Sequence, residues 1–362
     1  MNTELHQDKK NIGLQNPVAN SAMMLSCLGK PSPYTPIWLM RQAGRYMPAY
    51  RKIREKVGFL ELCKNSDLSV EVTLMPVNEF HLDAAIIFAD ILLILEPLGA
   101  KLRFAAGDGP IIDNPIRTEA DAFMLDNNSI IEPLNYVFSA ISKTRTALDK
   151  QIPLIGFAGA PFTLAAYLIE GGKVGNLART KTYMYNCPKG WQHLMNLLTA
   201  SCTTYLLEQI KAGADIVQIF DSWLGYLSPS DFNQYVLPYS KKLVSALKNF
   251  APVIYFGTDT SGLLKHLEQL QCQVIGLDWR VNLNSEWQKL NYQTAVQGNL
   301  DPLVLLSNKE TIAQQTKRIL QEAGGKPGHI FNLGHGVLPE TPVDNVKYLV
   351  DLVHQLSRSV QP

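Results

Sequence analysis

The sequence predicts an α/β protein, a single (β/α)8 TIM barrel preceded by an N-terminal extension. Three observations carry this. Eight short apolar runs, at residues 37–40, 84–88, 153–157, 216–220, 252–256, 274–277, 294–297 and 330–333, recur along the chain, nearly all followed by a helix-compatible stretch. Strand and helix in alternation imply a parallel sheet. No linker or composition shift breaks the series, which favours one closed barrel over a doubly wound open sheet.

The elements follow in order. Residues 1–18, rich in Asn, Gln, Lys and Asp, read as a flexible polar tail, and residues 19–362 as one barrel domain. A short helix fits 21–28. The apolar run at 37–40 is the first strand, and 58–80 is polar and helix-compatible. Residues 84–88 (AAIIF) suit a strand buried on both faces. From 99 to 131 the text is irregular, with Gly107, Asp108, Gly109 and Pro110 marking turns, so an excursion from the repeat is expected. Helices then fit 132–148, 162–169, 191–212, 229–249, 262–271, 311–323 and 343–355.

Composition narrows the function. With 46% hydrophobic and 18% charged residues the chain is an ordinary globular protein, and its net charge of +1 supplies no global field to recruit nucleic acid or a membrane surface. An acidic ligand would have to be drawn by locally placed Arg and Lys. No apolar run reaches the roughly 18 residues of a membrane span, and the N-terminus has no signal-peptide core. The five cysteines, at 27, 63, 187, 202 and 272, show no CxxC or Cys/His ligand spacing, which suits reduced thiols in a cytoplasm and argues against structural zinc.

Barrel sites form at the C-terminal ends of the strands. Here those ends carry Arg41, Asp90, Gly159, Asp221 with Ser222, Thr258, Asp278, Asn299 and His335, a polar set suited to a binding mouth. The first strand runs into PIWLMRQAGRYMPAYR at 36–51. Two guanidiniums four residues apart beside Gly44 can grip carboxylates bidentately, although an Arg-rich loop can also cap a helix or solvate a surface. Asp90, directly after an apolar run, either caps the next turn or points into the pocket. Residues 156–172 (GFAGAPFTLAAYLIEGG) place Pro161 at a helix start, where free N–H groups favour an anion, but the spacing is neither a Walker loop nor a dinucleotide fingerprint. Ser222, in FDSWLGYLSP, lacks the GxSxG elbow of a nucleophile. His335, in NLGHGVLPETP, lies between glycines that let backbone approach a ligand.

These strings, with IGLDWRVNL at 275–283 and QGNLDP at 297–302, resemble the uroporphyrinogen decarboxylases from about residue 20 to the C-terminus. One departure is Ala89, where many members carry Ser. The resemblance implies a cytoplasmic homodimer acting on a tetrapyrrole, and a substrate site formed by Arg41, Gln42, Ala43, Gly44, Arg45, Asp90, Tyr167, Ser222 and His335. It places the acid matching Asp90 at the pocket centre, accepting hydrogen bonds from pyrrole N–H groups, with Asp90 and Arg41 as the catalytic pair. No motif for pyridoxal phosphate, thiamine or a metal is present in the sequence, so a reaction without cofactor is expected. Two other readings remain. A cobalamin-linked zinc methyltransferase of related fold would need a His-x-Cys pair, which the chain lacks. A non-catalytic tetrapyrrole-binding protein would need the Arg loop but not the acid.

Overall fold

A computed structural model describes residues 17–105, 109–172 and 174–358. The expected tail, apart from Pro17 and Val18, and the turn at Gly107 and Asp108 lie outside them. Seven parallel strands stand side by side in the order β1 (Ala85–Ile86), β4 (Leu154–Gly159), β5 (Ile216–Asp221), β6 (Val253–Gly257), β7 (Val274–Gly276), β8 (Ala295–Gln297) and β9 (His329–Ile330). Each is short and buried, apart from half-buried Ile86 and Phe220, because helices cover the outside while side chains fill the inside.

The remaining apolar run, at 37–40, closes the ring without becoming a full strand. Ile37 makes a single parallel bridge to Phe331, and Phe331 N–H donates to Pro36 O at 2.8 Å. On the other flank, Asp83 N–H donates to Ile37 O at 2.9 Å. The Asp83 carboxylate completes the seam: it accepts from Ile37 N–H at 2.7 Å and from Tyr34 OH at 2.8 Å, and pairs with His354 Nε2 at 2.8 Å. Asp83 thereby fastens the first segment to the C-terminal helix, Val343–Arg358.

Strand alternation divides the buried residues into two groups. Ile216, Ile254, Phe256, Val274, Ala295 and Ile330 pack with Trp38 and Met40 inside the ring, over Met23 and Cys27 of helix Ala22–Cys27. Val217, Ile219, Val253, Tyr255 and Ile275 face the helices instead. Within the barrel, Trp38 Nε1 donates to Gln297 Oε1 at 2.9 Å and Gln297 Nε2 to Gln218 Oε1 at 3.2 Å, so these buried polar groups bridge the lumen.

The predicted excursion is an antiparallel hairpin, β2 (Leu102–Ala105) against β3 (Gly109–Ile112). The predicted 58–80 element is two helices, Phe59–Lys64 and Ser66–Phe80, the second capped by Asn65, whose Oδ1 accepts from Asp67 and Leu68 N–H. The predicted helix at 229–249 is continuous only from Leu237 to Leu247, because a π-helical stretch, Phe232–Val236, precedes it. Among the described residues no helix is long and apolar enough to cross a membrane, and the five cysteines are unpaired.

Candidate active site

Arg41 directly follows the first apolar run and is exposed at its C-terminal end. It leaves the first strand in a left-handed conformation, φ 60°, which a non-glycine residue adopts only when its surroundings hold it there. Several contacts do so. Gln42 is buried, its Oε1 accepting from Leu39 N–H at 3.2 Å and its Nε2 donating to Ala84 O at 3.2 Å, so this side chain pins the loop to the strand entering β1. Tyr46 OH donates to Gln42 O at 2.6 Å, and Arg51 donates to the carbonyls of Arg45 and Tyr46 at 2.8 and 2.9 Å. Ala43 and Gly44 are half-buried, while the Arg41 and Arg45 side chains stay exposed.

Asp90 stands just beyond β1. Its Oδ1 accepts from Leu92 N–H at 2.8 Å, and its Oδ2 accepts no hydrogen bond among the described residues. One oxygen thus caps the next turn, as one of the two sequence readings expects, and the other is left without a hydrogen-bond donor among the described residues. Burial raises the Asp90 pKa to about 6, against the lowering effects of the Leu92 N–H and the nearby Arg41 charge. Tyr167, on helix Pro161–Glu170, is pushed up to about 12 by burial and by the Asp90 charge, with Arg41 acting in the opposite sense. Its ring meets Trp223 edge to face at 5.9 Å. Asp90, Arg41 and Tyr167 thus share one electrostatic neighbourhood.

His335 approaches Arg41 from the last strand's loop. Burial and the positive charges of Arg41 and Arg280 lower its pKa to about 4, so it is a neutral imidazole at pH 7. Its neighbours are packed without slack. A methyl group at Gly336 would come within 2.6 Å of Arg41 Cγ and closer still to Cδ, and one at Gly334 would lie 2.9 Å from the Asp278 carbonyl carbon. The flanking glycines let this loop seat against both the Arg loop and the turn after β7.

Strand alternation separates two residues that the sequence places together. Ser222 follows interior-facing Phe220 by two residues, whereas Asp221 is fully buried on the helix side. There Asp221 accepts from Thr163 Oγ1 at 2.7 Å and Tyr255 OH at 2.6 Å, and from Thr163 N–H, while burial raises its pKa to about 6. Asp221 therefore does not belong to the mouth. The anion at the start of helix Pro161–Glu170 is the protein's own carboxylate. Ser222 is half-buried, and its carbonyl accepts from Thr258 Oγ1 at 2.7 Å.

Sequence reasoning passed over Arg280. It is exposed at the mouth, two residues past Asp278, within the electrostatic reach of His335. The signal was present as Asp-Trp-Arg, an aromatic flanked by opposite charges directly after an apolar strand.

A cavity of about 550 Å³ lies at the opposite end of the barrel, among Pro17, Met24, Arg145 and Phe250, and includes none of these site residues. Barrel chemistry sits at the strands' C-terminal ends, so the open mouth around Arg41 is the candidate site. Among the described residues no three His, Cys, Asp or Glu side chains are grouped to hold a metal ion.

The chain is 50% identical over 339 residues to the uroporphyrinogen decarboxylase of Carboxydothermus hydrogenoformans, covering 93% of this chain and 97% of that protein. It is 49% identical over 346 residues to that of Roseiflexus sp. (strain RS-1), covering 94% and 99% respectively. Among solved structures, a methyltransferase from Methanosarcina mazei superposes with TM-score 0.78 at 16% identity, covering 94% of this chain and 99% of that one, a likeness of fold alone. With residues 18–356 matching the family described as Uroporphyrinogen decarboxylase (URO-D), the chain belongs to the uroporphyrinogen decarboxylase family.

Proposed function

We propose that this protein decarboxylates the four acetate side chains of uroporphyrinogen III to give coproporphyrinogen III in haem biosynthesis, a reading supported by its family and its near relatives. The observation that carries it at the level of residues is that the Asp90 carboxyl, with one oxygen accepting no hydrogen bond among the described residues, lies within electrostatic reach of Arg41, as do Tyr167 and His335.

Loss of CO2 from an acetate leaves an electron pair that needs an acceptor. A pyrrole supplies one itself: a proton added to a ring carbon makes a ring cation, the bond from methylene to carboxylate breaks, and its electrons neutralise the ring. The methylene then takes a proton to become methyl and the ring proton leaves, so each turn consumes one proton and releases one CO2. The protein's task is to stabilise the cation and hold the acid in line.

Asp90 takes that role through Oδ2, accepting from pyrrole N–H groups, which together with Arg41 favour its ionised form over the neutral acid that burial favours. Arg41 and Arg45 hold acetate and propionate carboxylates, and Arg41 orients the reacting acid. The backbone of Gln42, Ala43 and Gly44 frames the same ligand. Tyr167, Ser222 and neutral His335 donate hydrogen bonds to the remaining carboxylates. The protein acts as a cytoplasmic homodimer, a reading supported by the family resemblance, and for the compartment also by the unpaired cysteines. Sedimentation at the monomer mass would remove the dimer.

The deciding experiment is incubation with uroporphyrinogen under reducing conditions and chromatographic counting of the carboxyls lost. Four losses without added cofactor are expected. Retained tetrapyrrole affinity without any loss would make the protein a carrier.

A further inference from the structure

We propose that Arg280 is a third carboxylate clamp of the mouth, standing on the far side of His335 from Arg41 and gripping a side-chain carboxylate of the substrate. The proposal rests on the tetrapyrrole reading above and adds a binding residue to it.

The geometry is a continuous run of contacts. The Arg41 stem lies across Gly336, with no room for a side chain between them. The ring of His335 meets that of Trp279 edge to face at 6.3 Å and 90°. The Arg280 guanidinium then lies 4.1 Å from the centroid of Trp279. Gly334, packed on the Asp278 and Trp279 backbone, locks the two loops in register. Asn299 Nδ2 holds the turn from below, donating to Asp278 O at 2.8 Å and Val281 O at 2.9 Å.

Arg280 is preoriented rather than consumed by this packing. Its NH1 donates to Asp278 Oδ2 at 2.7 Å and its backbone N–H to Asp278 Oδ1 at 3.0 Å. Asp278 is almost wholly buried, whereas 44% of the Arg280 side chain remains exposed. A guanidinium has five N–H donors. One fixes it to a buried carboxylate, the Trp279 face fixes its plane, and the remaining donors stay available at a solvent-facing surface. A surface ion pair made only for stability would not bury its acid, stack its base and leave the outer donors open. A ligand carrying carboxylates on all four pyrroles needs cationic partners spread around the mouth, and Arg41 with Arg45 supply only the side on which their loop lies.

The test compares wild-type protein with Arg280→Gln, measuring KM and kcat for uroporphyrinogen and the inhibition constant of coproporphyrinogen, which keeps the propionates but lacks the acetate carboxyls. Loss of one charge-assisted contact raises KM about ten- to hundredfold with kcat within a few fold. An equal loss of coproporphyrinogen affinity assigns the clamp to a propionate, and no loss there assigns it to an acetate. Either pattern supports the proposal. Because the change removes the ion pair of buried Asp278 and leaves it only the backbone N–H groups of Asp259 and Arg280, Arg280→Lys, which keeps a cation there but loses the planar fork, is measured alongside and should show a smaller KM increase with an unshifted melting temperature. Arg103→Gln, on the hairpin in an exposed pair with Asp113, is the control and should leave both constants unchanged. Unchanged KM in both Arg280 variants, or a fall in kcat and melting temperature with KM intact, overturns the proposal. Wild-type protein that removes no carboxyls would instead overturn the decarboxylase reading.

Discussion

Thr163 Oγ1 and Asp221 Oδ1 lie 2.7 Å apart, joining the first turn of helix Pro161–Glu170 to the end of β5 in a region without solvent. Tyr255 OH completes the arrangement by donating to Asp221 Oδ2 at 2.6 Å and contacting Ser240 Oγ at 3.0 Å. Tyr255→Phe removes one donor and leaves a buried carboxylate oxygen and a buried hydroxyl short of a partner. The expected cost is about 1–3 kcal/mol of folding stability. Urea unfolding of the two proteins measures it, with turnover per folded molecule unchanged.

Gly336→Ala should act through Arg41. The added methyl overlaps the middle of the Arg41 stem, not its mobile tip, so the guanidinium must move. Misplacing a positioning group by about 1 Å costs on the order of 100-fold in rate. Steady-state kinetics should show that scale of loss in kcat/KM, and an unaltered value would mean that Arg41 is not placed by this contact.

Asp90→Asn separates activity from stability. Preorganised electrostatic groups contribute roughly 3–4 kcal/mol in the transition state, so turnover should fall about two to three orders of magnitude. Stability should move the other way. The folded pKa of Asp90, about 6, lies above its ordinary value of 3.8. Between these values the folded protein binds more protons than the unfolded chain, so this group's contribution to stability declines as pH rises through the window. Asn can still accept from Leu92 N–H and carries no charge to bury. The variant should melt at or above the wild-type temperature at pH 7.5, with the advantage gone near pH 4.

The same value governs the pH profile. If ionised Asp90 is required in the free enzyme, kcat/KM rises with pH along an acid limb centred near 6. His335, lowered to about 4, remains neutral throughout that range and adds no second limb. A profile flat from pH 5 to 8 would exclude Asp90 as the titrating group.

Much of this was legible in the chain because strand ends are easy to mark. Apolar runs giving way to polar residues marked Arg41, Asp90, Ser222 and His335, each one or two positions past the end of its run. Phase was harder to read. Asp221 and Ser222 are adjacent, and only the inward packing of Ile216 and Phe220 shows that the first is turned to the helices and the second to the lumen. Helix Ala178–Asn186 escaped notice because its sequence, ARTKTYMYN, has too few apolar residues to display a period. Arg280 was hidden by its neighbour: an Asp two residues before an Arg reads as a local ion pair, and only the burial of Asp278 and the stacking on Trp279 show that the outer donors stay open.

The seam between Ile37 and Phe331 carries a consequence for biogenesis. The cationic loop leaves the ribosome long before the glycine against which Arg41 rests has been made. A nascent chain halted before residue 336 would hold most of its strands but no seat for that guanidinium. Affinity for the macrocycle should therefore appear only after Phe331 and Gly336 have been made and have folded against the first segment.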